Sequence, residues 1–416
     1  MKIAILHYSV SPIVGGVEAV IDAHTTLLLK AGHSVRIIAG SGDQSALPAG
    51  AEFIHIPEMD SRHPRVVEMS RQLEEGKLPN DFEALSSNLE KSLASVLQSI
   101  DRVIIHNIFT KHFNLPLTAA AIHLLDQGKL NHCIAWCHDF TWTSPHSRSS
   151  VHPGYPWDLL RTYREEVTYV TVSRYRQKEL ATLFDCPTER IHVIYNGVSP
   201  ADLYSLSGEG KSLIDRLGLI DSDINILMPV RITQAKNIEF ALQVIASLKK
   251  HDLQPRLVVT GPPDPHDPDD MHYYQSLLDL RKKLQVEGEA RFVYETGPQP
   301  GSGYSIGSPL VSEIYRACDV LFMPSHREGF GMPILEAGLI GMPIFSTQVP
   351  ATLEIGQQEV TIFSKDDSSE EVAGMILDWS QRSATQRLKR RIRQNFTWQA
   401  IFQDEILPLL GEGGSV

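Results

Sequence analysis

Short apolar runs alternate with amphipathic stretches along almost the whole chain, the pattern of a doubly wound α/β protein. In the first half the apolar runs predict strands at 2–7, 34–39, 52–56, 102–105, 133–137 and 168–172. The segments between them predict helices over 16–31, 64–75, 81–99, 115–127, 158–165 and 174–183. Runs such as RVII (102–105) and VTYVTV (167–172) are apolar without strict alternation, as parallel strands buried on both faces require. A second series predicts strands at 225–230, 256–260, 291–294, 319–323, 343–346 and 360–363. Between the two series, IHVIYNGVSP (191–200) reads as a strand followed by an Asn196-Gly197 turn, and marks a domain boundary. The tail, NFTWQAIFQDEILPLL (395–410), predicts an amphipathic helix with Phe396, Trp398, Ile401, Phe402, Ile406 and Leu407 apolar.

Length and composition fit this pattern. A chain of 416 residues is too long for one ordinary core and implies two domains. The net charge of −12 argues against nucleic acid or an anionic membrane surface as a general partner. No apolar stretch approaches the roughly 18–20 residues that span a bilayer, and the N-terminal KIAILH reads as a buried first strand rather than a leader. Four cysteines suit a reducing, cytoplasmic setting. Cys133 and Cys137 precede His138, but positions four apart on a strand lie about 13 Å apart, too far to share one metal ion. We expect no metal and no cofactor. Residues 261–272, GPPDPHDPDDMH, read as an exposed acidic loop.

The most informative stretch is DVLFMPSHREGFGMPILEAGLIGMPIFSTQ (319–348): strand, glycine-bearing loop, helix, strand. Glu328 sits in the loop and Glu336 about a turn into the helix, eight positions on. Gly329 and Gly331 allow close backbone approach around Phe330, and a helix N-terminus favours an anion. An anion site flanked by carboxylates that accept from hydroxyls is what a nucleotide sugar needs. Upstream, MPVRITQAKN (228–237) places Arg231 and Lys236 between a strand and a helix, where a guanidinium and an ammonium suit phosphate oxygens. Gly15 and Gly16 precede the first helix and offer a second anion-accepting N-terminus. They are no G-x-G-x-x-G fingerprint, which disfavours a dehydrogenase. His138 ends a predicted strand, the edge that faces ligand in open α/β sheets. His106, Asn107, Trp142 and Ser173 also follow predicted strands and are acceptor-side candidates.

The E-x7-E segment resembles that of retaining glycosyltransferases of the GT-B fold, in particular glycosyltransferase family four, and the resemblance extends over nearly the whole chain. It implies two Rossmann-like domains facing a central cleft. The first, 1–196, would take the acceptor and receive the crossing-back helix 395–416; the second, 197–394, would bind the donor. It further implies hexosyl transfer from a nucleotide-diphosphate sugar (UDP, GDP or ADP) to an acceptor hydroxyl, with retention, by a metal-independent front-face path. Arg231 and Lys236 would neutralise the leaving diphosphate. Glu336 would hold the ribose, Glu328 the transferred sugar, and His138 would lie near the reacting sugar. Gly15, Gly16, Gly329, Phe330 and Gly331 would contact the donor. The segment 57–100 is mixed in charge, which favours a soluble acceptor over a lipid-linked or polysaccharide one. A GT-B epimerase or phosphorylase, and a non-catalytic scaffold, are the alternatives. The loop ETGPQPGSGYSIGSP (295–309) is longer than the family's usual turn, which leaves the base open.

Overall fold

A computed structural model describes residues 1–411 apart from 131, 264–267, 300 and 301. Of the acidic loop expected at 261–272, positions 264–267 lie outside the described residues, and from Pro268 on the chain is helical instead. The chain divides into two compact units, Met1–Gly197 with the chain from Trp398 on, and Val198–Thr397.

Among the described residues the first unit holds a seven-stranded parallel sheet, in order β3-β2-β1-β4-β5-β6-β7. The strands are β1 Lys2–Ser9, β2 Ser34–Ser41, β3 Glu52–His55, β4 Arg102–His106, β5 Cys133–Cys137, β6 Val167–Thr171 and β7 Ile191–Val193. The helices are α1 Gly16–Lys30, α2 Pro64–Glu74, α3 Phe82–Val96, α4 Leu115–Asp126 and α5 Arg174–Phe184. The helix expected over 158–165 is a short 3₁₀ turn, Trp157–Arg161. Strand alternation divides the core in two. Ala4, Leu6, Val103, Ile105, Cys133 and Cys137 face one layer with α3 and α4. Ile3, Ile5, Ile104, Ile134 and Trp136 face the other, with α1.

The C-terminal segment fills that second layer through Ile401, Phe402, Ile406 and Leu410. It becomes helical only at Trp398, because Asn395 still ends the preceding helix and Thr397 pairs with Val198. Gly197 lies close against this turn: a Cβ there would sit 2.7 Å from the Trp398 backbone nitrogen.

The second unit repeats the arrangement with a six-stranded parallel sheet, β10-β9-β8-β11-β12-β13. Its strands are β8 Ile224–Met228, β9 Pro255–Val259, β10 Ala290–Phe292, β11 Val320–Met323, β12 Ile344–Thr347 and β13 Thr361–Phe363. Its helices are α6 Pro200–Leu203, α7 Gly208–Leu217, α8 Ile238–Lys249, α9 Pro268–Lys283, α10 Ser308–Ala317, α11 Met332–Leu339, α12 Ser369–Arg382 and α13 Ala384–Asn395. Beneath this sheet, at the N-terminal end of β11, the buried Asp319 takes a two-pronged bond from Arg393 at 3.2 and 2.8 Å. Lys389 reaches the same carboxylate at 2.7 Å. Burial pushes the Asp319 carboxyl up, but Arg393 and Lys389 outweigh it and hold the group below its usual range. This cluster ties α13 to the sheet. Among the described residues no helix is long and apolar enough to cross a membrane.

Candidate active site

In an open parallel sheet a crevice forms outside the strand C-termini where the strand order reverses direction. In the second unit that point lies between β8 and β11, neighbours in the sheet from which the chain winds off to opposite sides. The loops leaving those two strands carry Arg231, Lys236 and Glu328. Lys236 and Glu328, 92 residues apart, form an ion pair with the ammonium 2.8 and 2.9 Å from the two carboxylate oxygens. Ser325 donates to the same carboxylate at 2.6 Å, and Thr347 Oγ1 donates to the Ser325 carbonyl at 2.6 Å.

Backbone bonds fix the two loops to each other. His326 N–H donates to the Ala235 carbonyl at 2.9 Å, and the Asn237 side-chain amide donates to the Pro324 carbonyl at 3.2 Å. Asn237 adopts a left-handed conformation (φ 53°) that turns the chain into α8. Arg231 lies on the same loop, exposed and partnered.

Gly331 caps α11 with φ 84°, and a Cβ there would press on Ile334 Cδ1 at 3.0 Å and Ala351 Cβ at 3.3 Å, so glycine is required. Phe330 beside it is 60% exposed, as Gly329 is exposed. Glu336, one turn into α11, is exposed and accepts from the Tyr315 hydroxyl at 2.6 Å. Burial and then this bond raise the Tyr315 phenol.

In the first unit the corresponding point lies between β1 and β4. The glycine loop after β1 leads into α1, with Gly15 as its N-cap. The Glu18 carboxylate folds back against Gly15, where a Cβ would meet its Oε2 at 2.1 Å, while Ser9 donates to Glu18 at 2.7 Å. The Glu18 carboxylate thus lies beside Gly15. Gly16 has open space on its Cβ side. His138 stands at the end of β5, 8% exposed, its N–H donating to Asn107 Oδ1 at 2.8 Å.

Behind His138 lies a histidine cluster that sequence reading did not find. His138 Nε2 and His106 Nδ1 are 3.1 Å apart, and His7 Nδ1 meets the His106 carbonyl at 3.0 Å. His24 packs edge-on against Trp136 and Trp398, with ring centroids 4.5 and 5.5 Å away. Both His24 nitrogens, His106 Nε2 and Trp136 Nε1 are buried without a hydrogen-bond partner. Burial, then the neighbouring imidazoles, lowers these rings: His24 to about 3, His138 to about 3, and His106 well below its usual value.

The four acceptor-side residues are all engaged within the fold. His106 is wholly buried and offers no surface to an acceptor. Trp142 is buried too: its N–H donates to the Trp157 carbonyl at 3.1 Å, and the Arg148 and Arg161 guanidiniums sit 4.4 and 4.0 Å from its ring. Ser173 caps α5, accepting from Arg176 N–H at 3.2 Å. Asn107, at φ 60°, accepts from the backbone N–H groups of His138 and Asp139 through its side-chain Oδ1. Ser325 and Tyr315, which hold the two glutamates, went unrecognised. Ser325 adjoins the motif and was within reach of inspection; Tyr315, 21 residues before Glu336, has no local signal.

Two parallel sheets, each with a switch point in its strand order, define a doubly wound α/β protein. Profiles of known families make this specific. "Glycosyl transferases group 1" matches residues 211–396 and "Glycosyltransferase Family 4" matches 14–202. The chain belongs to these glycosyltransferases.

It is 28% identical over 258 residues to an uncharacterized glycosyltransferase, MJ1607, of Methanocaldococcus jannaschii, covering 60% of this chain and 61% of that protein. A D-inositol 3-phosphate glycosyltransferase of Saccharomonospora viridis is 28% identical over 53% of this chain and 50% of its own length. A glycogen synthase of Mycobacterium tuberculosis is 22% identical over 96% of this chain and 92% of its own. The chain thus spans about three fifths of the first of these relatives and half of the second.

Proposed function

We propose that the protein transfers a hexosyl group from a nucleotide-diphosphate sugar, held by the second unit, to a hydroxyl of a soluble acceptor taken by the first. The observation that carries this reading is the Lys236–Glu328 pair, buttressed by Ser325, at the β8/β11 switch point. An ammonium has three donors, and two are committed to Glu328. The third is left for a phosphate oxygen, while Glu328 keeps lone pairs for a sugar hydroxyl. Arg231 on the same loop supplies a second cation, and Glu336 meets the ribose hydroxyls at the cost of its bond from Tyr315.

In the front-face path that the family resemblance implies, the bond from the sugar C1 to the diphosphate oxygen breaks through an oxocarbenium-like state. The acceptor hydroxyl attacks the same face as that bond breaks. The departing phosphate oxygen takes the hydroxyl proton, so configuration is retained and no protein base is consumed. Lys236 and Arg231 then carry the work of stabilising the developing negative charge, without a metal ion. His138 in the first unit is neutral, because burial keeps its ring unprotonated.

Thermal shifts with UDP, GDP and ADP, each with and without EDTA, test the donor assignment. One nucleotide should raise the melting temperature, and EDTA should leave the rise intact. No shift with any of the three would overturn the reading.

A further inference from the structure

Lys111 lies in the loop that leaves β4, at the switch point of the first unit. The residue is only 8% exposed. Yet among the described residues no carboxylate lies within 4.0 Å of its ammonium, and no side chain or carbonyl accepts from it. The ammonium instead rests 4.7 Å from the centre of the Phe113 ring.

The charged groups nearby are committed elsewhere. Arg176 holds Asp139 at 2.8 Å and Glu179 at 2.7 Å. The His112 ring bonds Thr141 at 2.9 Å and faces Glu74 at 3.7 Å. The loop is nonetheless firmly placed. Tyr8 donates to the Lys111 carbonyl at 3.4 Å, Lys111 N–H donates to the Asn107 carbonyl at 2.9 Å, and Phe113 packs edge-on against Tyr8.

Removing an ammonium from water is costly unless a counter-charge meets it, and an aromatic face recovers only part of that cost. Burial lowers the Lys111 amine, Asp139 partly opposes this, and Arg176 reinforces it. The fold therefore holds a desolvated cation without its anion, in the loop where a ligand of an open α/β sheet binds.

We propose that Lys111 pairs with an anionic group of the acceptor, a phosphate or a carboxylate, so that the acceptor is a small charged polyol rather than a neutral sugar. This rests on the glycosyltransferase reading above, which the following test keeps separate. Titrate inorganic phosphate and, separately, acetate into the UDP-saturated protein by calorimetry, using wild type, Lys111→Met and Lys111→Arg. At least one anion should bind wild type and Lys111→Arg, and bind Lys111→Met about tenfold more weakly, the loss of one charge-assisted bond. The anion that responds distinguishes phosphate from carboxylate.

UDP affinity should be equal in all three proteins. Equal anion binding by wild type and Lys111→Met, or binding of neither anion, overturns the proposal. If UDP does not bind, GDP or ADP takes its place; if none of the three binds, the donor reading fails, and the same comparison without nucleotide still decides for or against Lys111. Should Lys111→Met not fold, Lys111→Gln takes its place in the comparison.

Discussion

Acidification should weaken the first unit well before ordinary carboxylates titrate, because of the histidine cluster behind His138. His24 and His138 are each held near 3 in the folded chain against 6.5 when free. Between those values the unfolded chain binds a proton at each site and the folded chain does not, so stability rises with pH. The contribution is fully present above 6.5 and is lost as pH falls towards 3. Integrating the linkage from pH 7 to pH 5 gives about 2 kcal/mol per histidine, or roughly 4 kcal/mol for the two. His106 and His7 are shifted in the same direction and add to the loss. Against a typical unfolding free energy of 5–15 kcal/mol this is a large fraction.

Urea unfolding at the two pH values measures it. Tryptophan fluorescence suits the purpose because Trp136 and Trp398 line the cluster. Replacing His24 with Phe keeps a flat ring between those two tryptophans but removes the titration. That variant should lose about 2 kcal/mol less than wild type over the same interval. A wild-type loss below about 1 kcal/mol, or an undiminished loss in His24→Phe, would refute the reasoning.

Further outcomes follow from the second unit. Lys236→Ala should lower turnover by about 10²-fold or more with the fold intact, and near-normal turnover in initial-rate assays would sink its role with the leaving group. Glu336→Gln should weaken nucleotide binding by about tenfold in calorimetry, since a charge-assisted bond to a hydroxyl becomes a neutral one; unchanged affinity would remove Glu336 from the ribose. Asp319→Ala strands the buried Arg393 without its carboxylate and should cost about 3–5 kcal/mol, read as a lower calorimetric transition of this unit. A loss under about 1 kcal/mol there would show that α13 is held by packing rather than by this cluster.

Much of the architecture is legible in the sequence because parallel strands buried on both faces leave short, nearly uninterrupted apolar runs. KIAILH, CIAWC and DVLFM mark β1, β5 and β11 to within two residues or so. The failures occur where long-range pairing overrides local periodicity. The terminal helix starts at Trp398 because Thr397 is taken by Val198, a partner about two hundred positions away. The helix expected over 158–165 collapses to a 3₁₀ turn after Pro156. At the site, the loop bearing Glu328 was readable because its glycines and carboxylate lie within a few positions of one another. Its pairing with Lys236 could be guessed only from the family resemblance, since nothing local connects residues 92 apart.

The acceptor side was harder for a reason that the sheet explains. Residues were nominated because they follow strands, yet not every position after a strand faces a ligand. Ser173 follows β6, two strands from the β1/β4 switch point, and its hydroxyl is spent on a helix cap. His106 is the last residue of β4 and keeps that strand's alternation: Ile104 faces the layer beneath α1, and so does His106, against His24 and Trp136. Parity alone would have placed it inside. Lys111 escaped notice for the opposite reason, since nothing in TKHFN distinguishes a buried lysine from a solvated one. Its meaning lies in what is missing around it. A buried cation without a counter-charge becomes visible only once every neighbouring carboxylate has been assigned to another partner. In the first unit the informative feature is therefore less a motif than the unmet electrostatic demand at its switch point.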